Sequence, residues 1–100
     1  MQKKYAKAEA LRIIKRIVQN GAVLPTKHFT DQMLVRKFDI LDVMCVIGSG
    51  NIFDEAEIHS LTGKFIYTVE GKTVDDKDMK IVIDIVENMN AITLITGMFK

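Results

Sequence analysis

His28, Gln32 and Arg36 are the residues of this sequence whose types and spacing are best suited to chemistry. They are four residues apart, so on a helix they form one row that drifts by only about 80° over its length. A histidine exchanges a proton near neutral pH, and a neighbouring guanidinium stabilises developing negative charge. The row therefore suits general acid–base catalysis on a phosphodiester. A structural interpretation stays open, in which the row is helix surface and Arg36 pairs with Asp39.

A second group of candidates lies in the C-terminal half of the chain. Lys64 and Thr68 share one face of a predicted strand, and Lys64 is placed to contact a phosphate. Tyr67 lies on the other face, where it either stacks on a base or packs in the core. Thr93 and Thr96 are predicted to point to opposite faces of the last strand, with one of them near the helix row.

The sequence lacks the common nucleotide, triad and metal motifs. It contains no GxxxxGK[ST], GxGxxG or GxSxG pattern, which argues against kinases, NAD enzymes and triad hydrolases. His28 and His59 are far apart and form no HxH or HExxH pattern. We therefore expect neither a metal site nor a cofactor.

Charge is unevenly distributed along the chain. Residues 1–50 hold nine Lys and Arg against four Asp and Glu, and residues 51–100 hold five against nine. The basic residues Arg12, Lys15 and Arg16 of the first predicted helix suit a polyanion such as RNA, or alternatively form an ordinary solvated surface. No apolar run approaches the ~20 residues that span a bilayer, so we predict no membrane segment.

The 100 residues predict a single domain with its helices in the first half. Residues 3–20 form a leading basic helix with one apolar stripe, and residues 27–37 form a second helix. A third helix begins at Asp39, a favourable N-cap. This helix is apolar nearly all round, so we expect it to be the most buried, with Cys45 in the core. A single cysteine excludes a disulfide framework, which suits the cytoplasm.

The second half of the chain changes to a period of two. Met79, Ile81, Ile83 and Ile85 alternate with more polar residues, as in a strand with one face on a core. Short connections between successive strands predict an antiparallel meander. The predicted fold is a two-layer α+β domain, with the N-terminal helices packed on one face of a roughly four-stranded antiparallel sheet. The predicted strands cover residues 51–59, 64–70, 79–87 and 91–96.

One stretch has a familiar order of residues: Lys27-His28-Phe29-Thr30-Asp31-Gln32-Met33, then Arg36, then Asp39–Val43 in a helix that ends in glycine. Together with the later strands, residues 26–97 resemble a family of small bacterial domains of unknown function. That family carries a His-x-x-x-Arg-Met-x-x-Arg pattern on its first conserved helix. The leading helix, residues 3–20, lies outside the resemblance.

The family in turn resembles the RelE/ParE/BrnT-like toxins, several of which are metal-independent ribonucleases paired with an antitoxin. The resemblance implies a RelE-like fold, with His28 and Arg36 as the polar pair and Lys64 and Thr96 as their sheet-side partners. The family's first arginine is Gln32 here, and the loss of that cation weakens phosphate binding.

Two functional hypotheses follow. In the first, the chain is a RelE-like toxin: His28 is the acid/base, Arg36 stabilises the phosphate, and an antitoxin covers the site. Its RNA would be held by Gln32, Lys64 and the basic first helix, with Arg12, Lys15 and Arg16. In the second, the chain is a non-catalytic module on the same fold, which binds a protein partner through a sheet edge or through the first helix.

Overall fold

The computed structural model describes residues 3–100, which form an α+β fold with three helices and five strands. The three helices and the last three strands confirm predicted elements, with their ends shifted by a few residues. In chain order the elements are α1 (Lys7–Asn20), β1 (Ala22–Pro25), α2 (Lys27–Arg36), α3 (Ile40–Ser49), β2 (Glu57–Ile58), β3 (Phe65–Lys72), β4 (Asp78–Val86), a 3₁₀ turn (Glu87–Met89) and β5 (Ala91–Phe99).

The ends of α2 and α3 follow from local side-chain chemistry. The Thr26 hydroxyl oxygen accepts a hydrogen bond from the Phe29 N–H at 3.1 Å and caps α2. Asp39 and Asp42 form a reciprocal capping box at the start of α3, so Asp39 is the N-cap as predicted. Between the two helices Lys37 adopts a left-handed conformation with φ of 57°, which turns the chain sharply from α2 into α3.

The sheet is mixed, with strand order β1-β5-β4-β3-β2. Strands β2 to β5 form the predicted antiparallel meander. The prediction of four antiparallel strands is wrong at one edge, because β1 pairs in parallel with β5. Four residues that end in proline carry little strand signal. Pro25 is tolerated because it is the last residue of an edge strand.

The predicted strand over residues 51–59 is wrong for most of its length. Only β2 pairs there, and Asn51 forms one isolated bridge with Glu70. Asp54 and Glu55 have low strand propensity, so pairing with β3 breaks between these two points. This segment therefore meets the edge of β3 at two separate places.

All three helices cover the same face of the sheet. Tyr67 is buried in the core on that face, as the packing alternative predicted. The other face carries Thr68, Val82 and Thr96, and no helix among residues 3–100 covers it. The core residues are Tyr5, Ala10, Ile13, Ile14, Ile17, Phe29, Phe38, Val43, Val46, Ile47, Ile52, Tyr67, Val69, Met79, Ile81, Ile83, Ile85, Ile92 and Leu94.

The burial of α3 differs from the prediction. Its inward residues Val43, Val46 and Ile47 are fully buried, but Leu41 is 64% exposed and Cys45 is exposed rather than in the core. The helix lies in an outer layer with β3 and β4 beneath it and α1 beside it. Its outward side therefore has no covering element within residues 3–100, although its sequence is apolar nearly all round.

The end of α3 crosses β3 through a close backbone contact at Gly50 and Gly71. A Cβ atom on Gly71 would lie 2.3 Å from the carbonyl oxygen of Val46 and 2.9 Å from the Cα of Gly50. Both atoms belong to the backbone, so neither moves aside as a flexible side chain would. The absence of a side chain at position 71 therefore sets how closely α3 approaches the sheet.

We expect Gly71→Ala to lower the free energy of unfolding by about 2–3 kcal/mol, because α3 and β3 would have to separate. The matched control is Gly48→Ala in α3, where an added Cβ meets no atom within 4 Å. Replacing that helical glycine is expected to stabilise the protein by up to about 1 kcal/mol. Urea denaturation measures the free energy of unfolding of both variants. A Gly71→Ala variant as stable as the wild type would show that the close contact at Gly71 is not required.

Candidate functional site

Helix α2 lies along the edge of β5 that β1 leaves unpaired. The pairing of β1 with β5 ends at Pro25 and Leu94. The next N–H, from Thr26, still donates to the Leu94 carbonyl at 3.0 Å, and the chain then turns into α2. The remaining length of β5, from Ile95 to Phe99, therefore faces a helix instead of a strand.

Gln32 and Arg36 take over the hydrogen bonds of the missing strand. The Gly97 N–H donates to the Gln32 side-chain oxygen at 2.9 Å, and the Gly97 carbonyl accepts from the Arg36 guanidinium. Gln32 is only 8% exposed, so its amide is not free to reorient toward a ligand. Two residues of the predicted row thus close the sheet edge, as a paired strand would.

Gly97 also allows an aromatic cluster to approach the strand. A Cβ atom there would lie 2.7 Å from the Phe38 ring and 3.0 Å from the Phe29 ring. Phe38 packs edge-to-face between Phe29 and Phe99, with ring centroids 5.6 and 6.1 Å apart. The packing fixes the turn between α2 and α3 against the end of β5, next to the two hydrogen bonds.

His28, the third residue of the row, is exposed in the first turn of α2. Neither a hydrogen bond nor an ion pair joins its side chain to any other residue in the described part of the chain. The proposed Arg36–Asp39 pair does not form either, because Asp39 caps α3 while Arg36 bonds to Gly97. The hydrogen bonds of Gln32 and Arg36 to Gly97 form a clamp on the end of β5. His28 lies beside this clamp and takes no part in it.

Thr96 lies on the sheet face opposite to the helices. A β-bulge in β5 shifts the register, so that Thr93 pairs with Asp84 and Thr96 pairs with Val82. Asp84 and Val82 are two apart on β4 and share a face, so Thr93 and Thr96 point the same way. The prediction that they point to opposite faces is wrong, and the structure does not bring Thr96 to the helix row.

Lys64 lies at the start of β3, with β4 and β5 between it and α2. Its ammonium nitrogen is 3.7 Å from a carboxylate oxygen of Asp84, which is buried. This lysine is therefore engaged on the sheet and is not gathered with His28 and Arg36.

Two of the three basic residues predicted on α1 likewise make contacts within the helix layer. Arg12 lies 3.7 Å from Glu9, and the Lys15 ammonium group donates to the Gly48 carbonyl at 3.3 Å. Arg16 is exposed on the outer side of α1. These residues form a surface on α1 and not a cleft around the row on α2.

A groove of about 450 Å³ lies at the other end of the sheet, lined by Lys3, Tyr5, Lys64, Tyr67, Ile85, Val86, Glu87 and Asn88. The Tyr5 hydroxyl donates to the Glu87 carboxylate, and the Tyr67 hydroxyl accepts from the Tyr5 N–H at 2.9 Å. The bond to Glu87, with burial, raises the pKa of Tyr5 to about 12, and burial raises the pKa of Tyr67. Both phenols therefore stay protonated near neutral pH and offer no base.

Comparison with family models, with curated proteins and with solved structures finds no match to this chain. Within residues 3–100, no helix is both long and apolar enough to span a membrane. In the same residues, no group of three or more His, Cys, Asp and Glu side chains is placed to hold a metal ion.

Sequence reasoning found the row on α2 but missed what two of its members bind. The missed residue is Gly97, and its signal was a single glycine inside a strand of otherwise larger residues, which often marks a close approach. Asp84, the partner of Lys64, was also missed as a buried carboxylate, because it belongs to the polar half of the alternation in β4.

We expect Gln32→Met to lower the free energy of unfolding by about 1–3 kcal/mol, since the Gly97 N–H would lose its acceptor while the side-chain length is kept. The control is Val35→Ala on the outer side of the same helix, which should change stability by less than about 0.5 kcal/mol. Guanidinium denaturation of both variants tests this. Equal stability of Gln32→Met and wild type would show that the clamp contributes nothing.

Proposed function

We propose that this chain is a non-catalytic protein-interaction module that binds its partner through the exposed face of α2. The observation that carries this proposal is the bonding of Gln32 and Arg36 to Gly97. A catalytic row would need these groups to face a substrate. Instead, the predicted site residues are spread over α2, the far sheet face, the start of β3 and α1.

The lengths of β5 and β3 that the short edge strands β1 and β2 leave unpaired are bonded by the chain itself, which favours the helices as the partner surface. On the β5 side the clamp satisfies Gly97. On the β3 side Asn51 exchanges two backbone hydrogen bonds of 2.9 Å with Glu70, and the Lys72 N–H donates to the Ser49 hydroxyl at 3.1 Å. An added strand would have to displace these bonds on β5 and β3, and on β1 and β2 it would meet strands of only four and two residues, so edge pairing is a poor route for binding.

Helix α2 carries apolar side chains on both of its sides. Phe29 and Met33 face the core, while Leu34 and Val35 point outward and are 77% and 80% exposed. A surface helix of a monomer ordinarily has a polar outer face, so two large apolar residues there indicate a second contact. They supply an anchor of the kind that a partner helix covers.

The charges around this face indicate the chemistry of the partner. Lys27, Arg36 and Lys37 lie in or next to the helix, against two carboxylates: Asp31, which is 3.9 Å from Lys27, and Asp39, which caps α3. The net positive charge favours a partner with acidic flanks. An acidic amphipathic helix therefore fits this surface best.

A second candidate function is the metal-independent ribonuclease of a RelE-like toxin. Two observations favour it: His28 is exposed, and Arg36 uses one of its five N–H donors on Gly97. The remaining donors can reach a phosphate while His28 acts as acid/base. In this hypothesis the antitoxin partner would cover the same face of α2.

RNA cleavage distinguishes the two functions. We expect the purified wild type to cut a mixed RNA substrate in EDTA no faster than His28→Ala, with a metal-independent ribonuclease as the positive control for the assay. If the wild type cuts RNA and His28→Ala does not, the protein is a ribonuclease and the interaction-module proposal is wrong.

The partner surface is tested with a displayed library of acidic amphipathic helices. We expect the selected peptides to bind Leu34→Asp at least about tenfold more weakly than wild type, because Leu34 anchors the contact. The control is Leu61→Asp, at an 89% exposed position in the turn before β3, which should leave binding unchanged. Failure to select any binder, or binders indifferent to Leu34→Asp, would refute this surface.

A further inference from the structure

The outward face of α3 is uncharged along its whole length. Of the ten residues of the helix only Asp42 is charged, and it belongs to the capping box. Leu41 is 64% exposed, Cys45 is exposed, Met44 is half-buried, and Gly48 leaves open space beside them. By contrast, the outward side of the neighbouring α1 carries Arg12 and Arg16.

The residues of this face have the spacing of a helix–helix seam. Leu41, Met44 or Cys45, and Gly48 follow one another at intervals of three or four residues, which places them on one stripe. A helix that is apolar all round is normally buried on all sides. The inner side of α3 is buried by the core, so its outer stripe is the part still to be covered.

The two ends of this stripe carry opposite charge. At the N-terminal end, Asp39 and Asp42 begin the helix, and the Val74 N–H donates to Asp42 at 3.2 Å, which brings the loop with Asp75 and Asp76 alongside. At the C-terminal end, the Lys15 ammonium group lies on the Gly48 carbonyl. One helix face is therefore acidic at one end, apolar in the middle and basic at the other.

We propose that α3 packs antiparallel against α3 of a second copy of this chain. A two-fold axis near Met44 and Cys45 would place each acidic end beside the basic end of the other copy. The two helix dipoles would then also be antiparallel, which is the favourable arrangement. Parallel pairing would instead bring the acidic ends of both copies together, which is unfavourable. The middle of the stripe is uncharged, so two identical stripes can pack against each other without electrostatic repulsion.

The proposal does not depend on the function proposed for α2. The stripe on α3 and the exposed pair Leu34 and Val35 lie on different helices, so a dimer and a bound partner are separate contacts. A monomeric protein would refute the dimer and leave the α2 surface as it stands, whereas ribonuclease activity would replace the proposed function and leave the dimer.

Sedimentation equilibrium tests the contact. The wild type should approach twice the chain mass of 11.3 kDa as concentration rises. Cys45→Asp should weaken the dimer at least about tenfold, since the two new carboxylates would lie beside each other at the two-fold axis. Leu61→Asp is the control and should dimerise like the wild type. Because Cys45 is exposed, circular dichroism should show both variants folded. A monomer at every concentration, or a dimer indifferent to Cys45→Asp, would overturn the proposal.

Disulfide trapping tests the orientation in a Cys45→Ser background. Leu41→Cys mixed with Gly48→Cys should form the covalent heterodimer under a mild oxidant, which accepts two electrons and two protons from the thiols. Leu41→Cys alone should link poorly, because in an antiparallel pair the two positions 41 lie about 10 Å apart along the helices. Efficient linking of Leu41→Cys to itself would refute the antiparallel arrangement.

Discussion

The pair of hydrogen bonds at Gly97 is the constraint on which the arrangement of the helices depends. Strand β1 has only four residues, so the outer edge of β5 would be left open beyond Leu94. Gln32 and Arg36 close it, and this fixes α2 beside the strand. The position of α2 then sets Phe38 against the glycine, and the turn at Lys37 sends α3 back over β3 and β4.

The length of β3 that β2 leaves unpaired is closed by a related device. There the residues that follow α3 reach the backbone of β3, through the Ser49 hydroxyl and the backbone of Asn51. The unpaired lengths of β5 and β3 are thus bonded by residues in or next to a helix that also covers the core. Exposed strand edges promote uncontrolled pairing between chains, and here only the short strands β1 and β2 keep an open outer side. The broad surfaces left for recognition are those of the helices and the sheet face that carries Thr68, Val82 and Thr96.

Periodicity predicted α1 and the strands β3, β4 and β5, because each has a clear apolar face, and the N-cap Asp39 placed the start of α3. It failed for β1, which is too short to show a period and pairs with a strand about 70 residues away. It failed for Thr93 and Thr96, because a bulge breaks the alternation. For the row on α2, periodicity correctly placed the three residues on one side of the helix. Periodicity could not predict the hydrogen bond of Gln32, since its partner is the backbone N–H of Gly97 on a strand distant in sequence.

The parallel pairing of β1 with β5 also determines when folding can finish during synthesis. Gly97 is added to the growing chain 65 residues after Gln32, which at ordinary elongation rates is roughly 3 to 13 s later. Until then the glutamine has no partner, β1 has no neighbour, and the inner faces of α1 and α2 lack the strand that they cover. The nascent chain therefore exposes its N-terminal helices for seconds, a period in which a chaperone or a cognate partner can bind them first.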